Sequence, residues 1–188
     1  MQIFGLFEKI DYMKIINTKF YGLKIIKGVI HYDKRGYFRE TFKNNLFKNK
    51  KFIFWCMSKT KKNVIRGLHL QTKFQQDKFI CVIKGKIFVV ALDLRKKSKT
   101  YGKQYSIILS DKNSTSIFIP AGFAHGFCSL ESDNLVFYGC TNYRSKKSEI
   151  GILWNDKTLK IKWPIKKPII SSKDKNNITF EKYKFLYL

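Results

Sequence analysis

Short runs of apolar residues dominate the chain, and helical periodicity is scarce. These runs are rich in β-branched and aromatic residues and lie between clusters of Gly, Asp, Asn and Lys, as expected for strands joined by turns. They are LKIIKGVI (23–30), FICVI (79–83), IFVVALDL (87–94), YSIIL (105–109), SIFI (116–119) and NLVFYGCT (134–141). Many short strands without alternating helices predict an all-β fold, a sandwich or barrel of the jelly-roll type with a few short helices.

Two local patterns are more specific. The segment 81–94 predicts a β-hairpin that turns at residues 84–86, because a lysine-flanked glycine separates its two apolar runs. The segment ETFKNNLF (40–47) is the one plausible helix in the N-terminal part of the chain, with Phe42 and Phe47 on its apolar face.

The composition predicts one packed domain. The chain has 188 residues, of which 44% are hydrophobic and 16% aromatic, with only 3 Pro and 11 Gly. This length supports a full core, and the composition is globular rather than disordered. No internal repeat or linker-like change in composition occurs before Pro164. The more polar tail from about residue 165 is expected to wrap over the surface.

The charge is strongly positive, with 38 Lys and Arg against 13 Asp and Glu and a formal net charge of +25. Nucleic acid is the usual partner of such a chain. Only five of these residues are Arg, however, and the 33 Lys are scattered along the sequence. Recognition of phosphates and bases favours Arg, or basic residues gathered on one element. The charge is therefore expected to attract a small anionic ligand rather than nucleic acid.

Four cysteines, Cys56, Cys81, Cys128 and Cys140, form no CxxC pair and lie in apolar sequence. This usage indicates buried free thiols in a reducing compartment, not a disulfide framework. No apolar run approaches the roughly 20 residues that a membrane span needs. Residues 1–16 also lack the basic start of a secretory signal. We expect a cytoplasmic protein without a membrane partner.

Two of the three histidines lie among glycines. His69 lies in NVIRGLHLQ, where Gly67 permits close approach of the backbone. His125 lies in PAGFAHGF, which is expected to form a tight, irregular segment between strands. Small residues around a polar side chain indicate a pocket wall, so the two histidines are candidates for one shared site. His31 is interpreted as an ordinary strand-end histidine.

Metal and hydrolase chemistry are both disfavoured. Metal-binding barrels usually bring three or four His and carboxylate ligands to one ion, commonly with close His pairs. Here the histidines are far apart in sequence and no H-x-H occurs. A Ser or Cys hydrolase lacks its signature as well, since there is no G-x-S-x-G and no Cys with an evident partner base.

Seven motifs follow one another along the chain. They are DKRGYFRE (33–40), RGLHLQ (66–71), QDK (76–78), VALDLRKKSKTYGK (90–103), IPAGFAHGF (119–127), YGCTNY (138–143) and GILWND (151–156). Together they resemble the dTDP-4-dehydrorhamnose 3,5-epimerase family, over a match from about Met13 to Asp174. The resemblance implies a single cupin-type jelly-roll domain over residues 13–188, with residues 1–12 as an N-terminal extension. It also implies a homodimer that works without metal or organic cofactor.

The implied reaction inverts carbons 3 and 5 of dTDP-4-dehydro-6-deoxyglucose and gives dTDP-4-dehydro-L-rhamnose for cell-surface polysaccharide. A ketone at carbon 4 acidifies the protons on carbons 3 and 5, and an imidazole, which titrates near neutral pH, can remove one. The enolate then needs a cation or hydrogen-bond donor at its oxygen. A second group on the opposite face of the ring must return a proton.

Roles for individual residues follow from the same resemblance. His69 is the base, Asp174 orients and charge-stabilises its ring, and Tyr138 is the acid. Lys78 and Arg66 stabilise the enolate or hold the sugar and phosphates. The further positions implied to contact substrate, some of them across the dimer, are Arg35, Glu40, His125, Glu149 and Lys173. Two alternatives stay open, because Asp174 can be a solvated tail residue and Tyr138 a core aromatic.

Two regions depart from the family pattern. Where the family typically carries Gln-(Asp/Glu)-Asn before RGLH, this chain has Phe54, Trp55 and Cys56, and Arg144 replaces a common aromatic. Both regions resemble those that receive the nucleotide end of the substrate. We therefore expect base recognition to differ, with Trp55 or Arg144 stacking on the base. The alternative function is a 3- and/or 5-epimerase of a different nucleotide-linked 4-keto sugar.

Two functions without catalysis compete with this interpretation. A sugar-nucleotide-binding barrel needs no base and acid on opposing faces, so the joint presence of His69, Lys78, Tyr138 and Asp174 disfavours it. A nucleic-acid-binding barrel would show salt-dependent retention of DNA. We expect an isomerase whose partners are a dTDP-linked sugar and a second copy of the chain.

Overall fold

The structure, a computed structural model, describes residues 12–47 and 49–187. Its strands are β1 (Lys14–Asn17), β2 (Lys24–Lys27), β3 (His31–Asp33), β4 (Gly36–Phe38), β5 (Phe54–Lys61), β6 (Ile65–Gln71), β7 (Lys78–Lys84), β8 (Lys86–Asp93), β9 (Gln104–Ser110), β10 (Thr115–Ile119), β11 (Phe123–Ser129), β12 (Asp133–Cys140) and β13 (Glu149–Gly151). Its helices are a 3₁₀ turn (Asn44–Phe47), α1 (Ser172–Lys175) and α2 (Phe180–Tyr187). The predicted extension 1–12 lies, except for its last residue, outside the described residues.

Two antiparallel sheets face each other with a core between them. One has the strand order β1-β2-β10-β7-β12-β5 and the other β13-β6-β11-β8-β9, while β3 and β4 form a separate hairpin. Ile80 and Ile117 of the first sheet pack in one buried cluster with Val89 and Phe127 of the second. Burying each such side chain contributes about 1.5–3 kcal/mol, so this layer holds the sheets together. All six predicted apolar runs form strands, which confirms the all-β prediction.

The predicted hairpin at residues 84–86 is wrong. β7 pairs with β10 and β12, whereas β8 pairs with β9 and β11, so the chain crosses between the sheets at this turn. Gly85 has a φ of +86°, and a Cβ there would collide with the carbonyl oxygen of Asp133. A glycine between two apolar runs therefore predicts a turn, but not which sheet the second strand joins.

The predicted helix over residues 40–47 is reduced to the 3₁₀ turn at its end. The paired asparagines that open this turn favour turns over helix interiors. Phe42 and Phe47 nevertheless lie together, with ring centroids 5.6 Å apart, and both contact Phe79 on β7. The expected apolar face exists, and it packs on the six-stranded sheet.

Close approach of β6 and β11 depends on two glycines. A Cβ on Gly67 would lie 2.5 Å from the Cα of Gly126, and a Cβ on Gly126 would lie 2.6 Å from the carbonyl oxygen of Arg66. The prediction that Gly67 permits close backbone approach is confirmed. The predicted irregular segment around His125 is wrong, because β11 contains this residue and only its register shifts after it.

The C-terminal tail returns to β6. The Ile65 N–H donates to the carbonyl of Ile169 at 3.1 Å, and α1 follows at once with Ser171 as its N-cap. The Ser171 hydroxyl accepts from the backbone N–H of Asp174 at 3.1 Å, which fixes the first turn of α1 beside β6. In the described part of the chain, no helix has the length and apolar character to cross a membrane.

Candidate active site

A cavity of about 580 Å³ opens between the two sheets. The five-stranded sheet contributes His69 from β6 and His125 from β11 to its lining. The six-stranded sheet contributes Ser58 from β5, Lys78 from β7 and Tyr138 from β12. The histidines and the tyrosine thus belong to opposite walls of one cavity.

His69 and Asp174 form a closely bonded pair, although 105 positions separate them in sequence. The Nε2 of His69 is 2.6 Å from the Oδ1 of Asp174, and the Oδ2 accepts from the Gly67 N–H at 3.2 Å. Burial raises the pKa of Asp174, but hydrogen bonds from His69 and Gly67 and nearby positive charge outweigh it and lower the pKa below 3.8. The carboxylate therefore fixes the tautomer with the proton on Nε2, which leaves the lone pair on Nδ1.

Tyr138 and Ser58 form a second short pair on the opposite wall. Their hydroxyl oxygens are 2.6 Å apart. Burial raises the pKa of Tyr138 to about 12, while the hydrogen bond with Ser58 and the charge of Arg66 act in the opposite direction. At neutral pH Tyr138 is therefore a protonated phenol that is able to donate.

Lys78 lines the cavity together with two thiols, Cys56 and Cys140. Burial lowers the pKa of Lys78, and the charge of Arg144 adds to this effect. Burial also raises the pKa of Cys56, and that of Cys140 to about 11, so both thiols are neutral at physiological pH. The prediction of free thiols is confirmed, but these two line the cavity instead of filling an apolar core.

His125 lies beside His69, opposite it in the pairing of β11 with β6. It is buried, and its pKa is well below 6.5 because of that burial and the nearby positive charge of Lys78. A neutral imidazole at this position can donate or accept a hydrogen bond without adding charge. Among residues 12–47 and 49–187, no group of three or more His, Cys, Asp and Glu is arranged to hold a metal ion.

Charged side chains surround the rest of the cavity. Glu149 accepts from the Nε of Arg144 at 2.7 Å and from its Nη2 at 3.1 Å, and it also pairs with Lys173. Arg66 is exposed, and its Nε donates to the hydroxyl of Thr60 at 3.1 Å. This part of the cavity thus carries three exposed cationic side chains, Arg66, Arg144 and Lys173, and one carboxylate that is already paired, an arrangement suited to an anionic ligand.

Most of the candidate residues share this cavity, and two do not. The members in its lining are Arg66, His69, Lys78, His125, Tyr138, Glu149, Lys173 and Asp174. Arg35 lies at the exposed turn between β3 and β4, where it pairs with Asp33, and Glu40 pairs with Lys43. Neither Arg35 nor Glu40 lines the cavity.

The expectation that Trp55 stacks on a base is wrong for this chain. Successive side chains of β5 point to opposite sides of the sheet, so Phe54, Cys56 and Ser58 line the cavity while Trp55 faces away. Trp55 stacks on Phe137 with ring centroids 5.1 Å apart. The sequence motifs also missed Ser58, which only the pairing of β5 with β12 brings beside Tyr138.

Comparison with known proteins identifies similar sequences over most of the chain. Residues 17–182 match the family model for dTDP-4-dehydrorhamnose 3,5-epimerase. The enzyme of that name from Methanothermobacter thermautotrophicus is 41% identical over 170 residues, which are 87% of this chain and 92% of that protein. The one from Shigella flexneri is 38% identical over 174 residues, 89% of this chain and 96% of that protein.

Solved structures are similar over the same extent. A dTDP-6-deoxy-D-glucose-3,5-epimerase from Legionella pneumophila, in complex with dTDP-4-keto-L-rhamnose, has a TM-score of 0.86 at 37% identity and covers 90% of this chain and 94% of its own. A dTDP-4-dehydrorhamnose 3,5-epimerase from Bacillus anthracis, with TDP and PPi bound, has a TM-score of 0.85 at 37% identity, covering 89% and 99%. These similarities confirm the prediction of a cupin-type jelly roll.

Proposed function

The chain belongs to the dTDP-4-dehydrorhamnose 3,5-epimerase family, and from that membership we propose that it inverts carbons 3 and 5 of dTDP-4-dehydro-6-deoxyglucose. The product is dTDP-4-dehydro-L-rhamnose, and the chain is an isomerase. One observation carries the proposal, namely that His69 and Tyr138 belong to opposite walls of one cavity. Inversion requires a base and an acid on opposite faces of the same ring.

The chemistry begins at His69. Its Nδ1 removes the proton from carbon 3 or carbon 5, and the electron pair of the broken C–H bond moves into an enolate with the carbon 4 oxygen. The imidazolium that forms is stabilised by the Asp174 carboxylate at 2.6 Å. Lys78 and Arg66 supply positive charge for the enolate oxygen or the diphosphate.

Tyr138 completes each inversion from the other wall. Its phenol gives a proton to the carbon that lost one, and the enolate collapses back to the ketone. The charge of Arg66, which lowers the pKa of Tyr138, stabilises the phenolate left behind. Proton exchange with water returns His69 and Tyr138 to their starting states, so no external reagent is consumed.

The nucleotide end is proposed to lie near Arg144 and Lys173. The Legionella and Bacillus relatives hold dTDP-4-keto-L-rhamnose and TDP respectively, which supports a dTDP-linked substrate here. Two hydrogen bonds to Glu149 fix the orientation of the Arg144 guanidinium, and such a planar group can stack on a base. The second candidate, a different nucleotide-linked 4-keto sugar, is favoured by the replacements at residues 54–56 and Arg144.

We further propose a homodimer in which Arg35 and Glu40 serve the partner's cavity. Both lie outside the cavity of their own chain. The hairpin of β3 and β4 carries three exposed aromatics, Tyr32, Tyr37 and Phe38. An exposed apolar patch of this kind is typical of an interaction surface.

The dimer can be tested by complementation. Arg35→Ala and His69→Asn chains are each expected to be nearly inactive, but mixed dimers should regain activity, since one of their two sites then carries neither substitution. Absence of recovery from a mixture shown to contain mixed dimers would contradict action across the dimer.

The reaction itself is tested in heavy water with dTDP-4-dehydro-6-deoxyglucose. His69→Asn is expected to slow turnover by roughly 10²–10⁴-fold, the contribution of one general base. Tyr138→Phe keeps the ring and should retain deuterium entry at carbon 3 or 5 while losing most of the net inversion. Product stereochemistry, measured by NMR, separates double from single inversion, and a panel of other 4-keto sugar nucleotides tests the second candidate. A His69→Asn variant with wild-type turnover would end the assignment.

A further inference from the structure

Ser58 is a polar residue of the cavity that carries no role in the reaction as derived from the motifs. Its side chain lies on the same face of the sheet as that of Tyr138, because β5 pairs with β12 so that Cys56 lies opposite Tyr138 and Ser58 opposite Val136. The two hydroxyl oxygens are 2.6 Å apart. This contact joins Ser58 directly to the oxygen that is proposed to release the proton.

The direction of this hydrogen bond decides whether Tyr138 can act as an acid. Either hydroxyl can be the donor. If Tyr138 donates to Ser58, the phenolic proton is held away from the substrate. If Ser58 donates, the phenolic proton is free to point into the cavity, because a hydroxyl has one donor and two acceptor positions. Only the second arrangement leaves Tyr138 ready to protonate a ring carbon.

The same bond gains strength when the proton leaves. Hydrogen bonds to an ionised oxygen are shorter and roughly twice as strong as those between neutral groups. Burial opposes a phenolate here, since it raises the pKa of Tyr138 to about 12. A donor that touches the phenolate oxygen therefore stabilises the state that follows proton transfer more than the state before it.

β5 also positions Arg66, the other residue whose charge favours the phenolate of Tyr138. The Nε of Arg66 donates to the hydroxyl of Thr60 at 3.1 Å, and its Nη2 donates to the carbonyl of Lys59 at 3.3 Å. Three consecutive residues of this strand, 58–60, thus hold the tyrosine hydroxyl and the nearby guanidinium. This edge strand contributes to the acid side of the site as well as to the wall of the cavity.

We propose that Ser58 is a positioning residue for the reaction: its hydroxyl donates to the Tyr138 oxygen, aims the phenolic proton into the cavity and stabilises the phenolate. The proposal rests on the proposed function, since it requires Tyr138 to deliver the proton. It concerns reprotonation only, and proton removal by His69 on the opposite wall does not depend on it.

The test measures deuterium exchange and net inversion separately, with dTDP-4-dehydro-6-deoxyglucose in heavy water. Ser58→Ala is expected to lower inversion by about 10- to 100-fold while exchange is retained, the effect of losing one hydrogen bond to a charged group. Ser58→Thr keeps a hydroxyl and should restore most of the inversion. Ser58→Cys keeps the shape with a much weaker donor, so it should behave like Ser58→Ala even if the alanine variant folds poorly. Met57→Ala is the matched control, because this neighbour on β5 is 60% exposed and does not line the cavity.

A double variant separates the possible outcomes. Ser58→Ala combined with Tyr138→Phe should invert no more slowly than Tyr138→Phe alone, because the bond is already absent. If Tyr138→Phe separates exchange from inversion but Ser58→Ala does not, or if the two effects add, the role of Ser58 is overturned and that of Tyr138 stands. If Tyr138→Phe fails to separate the two rates, the acid role of Tyr138 fails and the role of Ser58 fails with it.

Discussion

Asp174→Asn tests the proposed base through its partner. The two carboxylate oxygens do different work, since Oδ1 bonds the Nε2 of His69 and Oδ2 accepts from the Gly67 N–H. An asparagine has only one oxygen for these two donors. If that oxygen bonds Gly67, the amide NH₂ faces Nε2, and the ring must then carry its proton on Nδ1, the nitrogen that should act as base. If the oxygen bonds His69, the NH₂ faces the Gly67 N–H and two buried donors oppose each other.

The size of the effect follows from these two losses. A hydrogen bond to a charged group is worth about 1.5–3 kcal/mol, and an unsatisfied buried donor costs about 1–3 kcal/mol. The wrong tautomer carries a penalty of similar size, because a base without its lone pair must first exchange its proton. Since about 1.4 kcal/mol corresponds to a factor of ten, proton abstraction should slow by roughly 10²- to 10⁴-fold.

The assay is the initial rate of deuterium entry into the sugar, followed by NMR. Lys175→Gln is the control, because Lys175 is an exposed residue of the same short helix. Melting curves of both variants verify that α1 still docks. An Asp174→Asn protein that exchanges protons as fast as the wild type would refute the reasoning, because its carboxylate would then be unnecessary to the base.

Three further outcomes are expected. Asp93→Asn should lower the free energy of unfolding near neutral pH: burial raises the pKa of Asp93, but bonds from Arg95, Ser98 and Thr100 outweigh it and lower the pKa below 3.8. The difference in unfolding free energy between the wild type and Asp93→Asn should be complete above about pH 4. It should shrink as the pH falls through the folded-state pKa of Asp93, as urea titrations at several pH values would reveal. Exhaustive chelation should leave turnover unchanged; activity that returns only with an added divalent ion would contradict this. Deleting residues 1–12 should barely change the melting temperature, because the family match begins only at residue 17 and terminal residues generally contribute few contacts.

Six of the thirteen described strands, β2, β7, β8, β9, β10 and β12, were predictable from the sequence as apolar runs, but their neighbours in the sheets were not. Each apolar run is a local property, and burial of β-branched and aromatic residues makes it a strand wherever it joins a sheet. The choice of sheet depends on partners far along the chain, as the crossing at Gly85 illustrates. The helix expected over residues 40–47 failed for a related reason, because packing of Phe42 and Phe47 on β7 needs only one 3₁₀ turn.

Motifs identified the charged and titratable residues of the site, but not the residues that hold them. Alternation along β5 implies that Trp55 and Ser58 point to opposite sides. The sequence does not say which side meets the cavity, and that choice is fixed by the register that sets Cys56 opposite Tyr138. Arg35 and Glu40 match the same family pattern yet lie outside the cavity of their own chain, and their action across a dimer stays a prediction.

The return of the tail to β6 brings the carboxylate that bonds His69 from beyond the last described strand. The strands of the described chain end at Gly151, so both sheets are encoded before the carboxylate at residue 174 is reached. A nascent chain therefore carries His69 and every described strand before it carries Asp174, the residue that bonds the imidazole. Proteolytic trimming from the C-terminal side would remove Asp174, the partner of His69, before it reached any described strand.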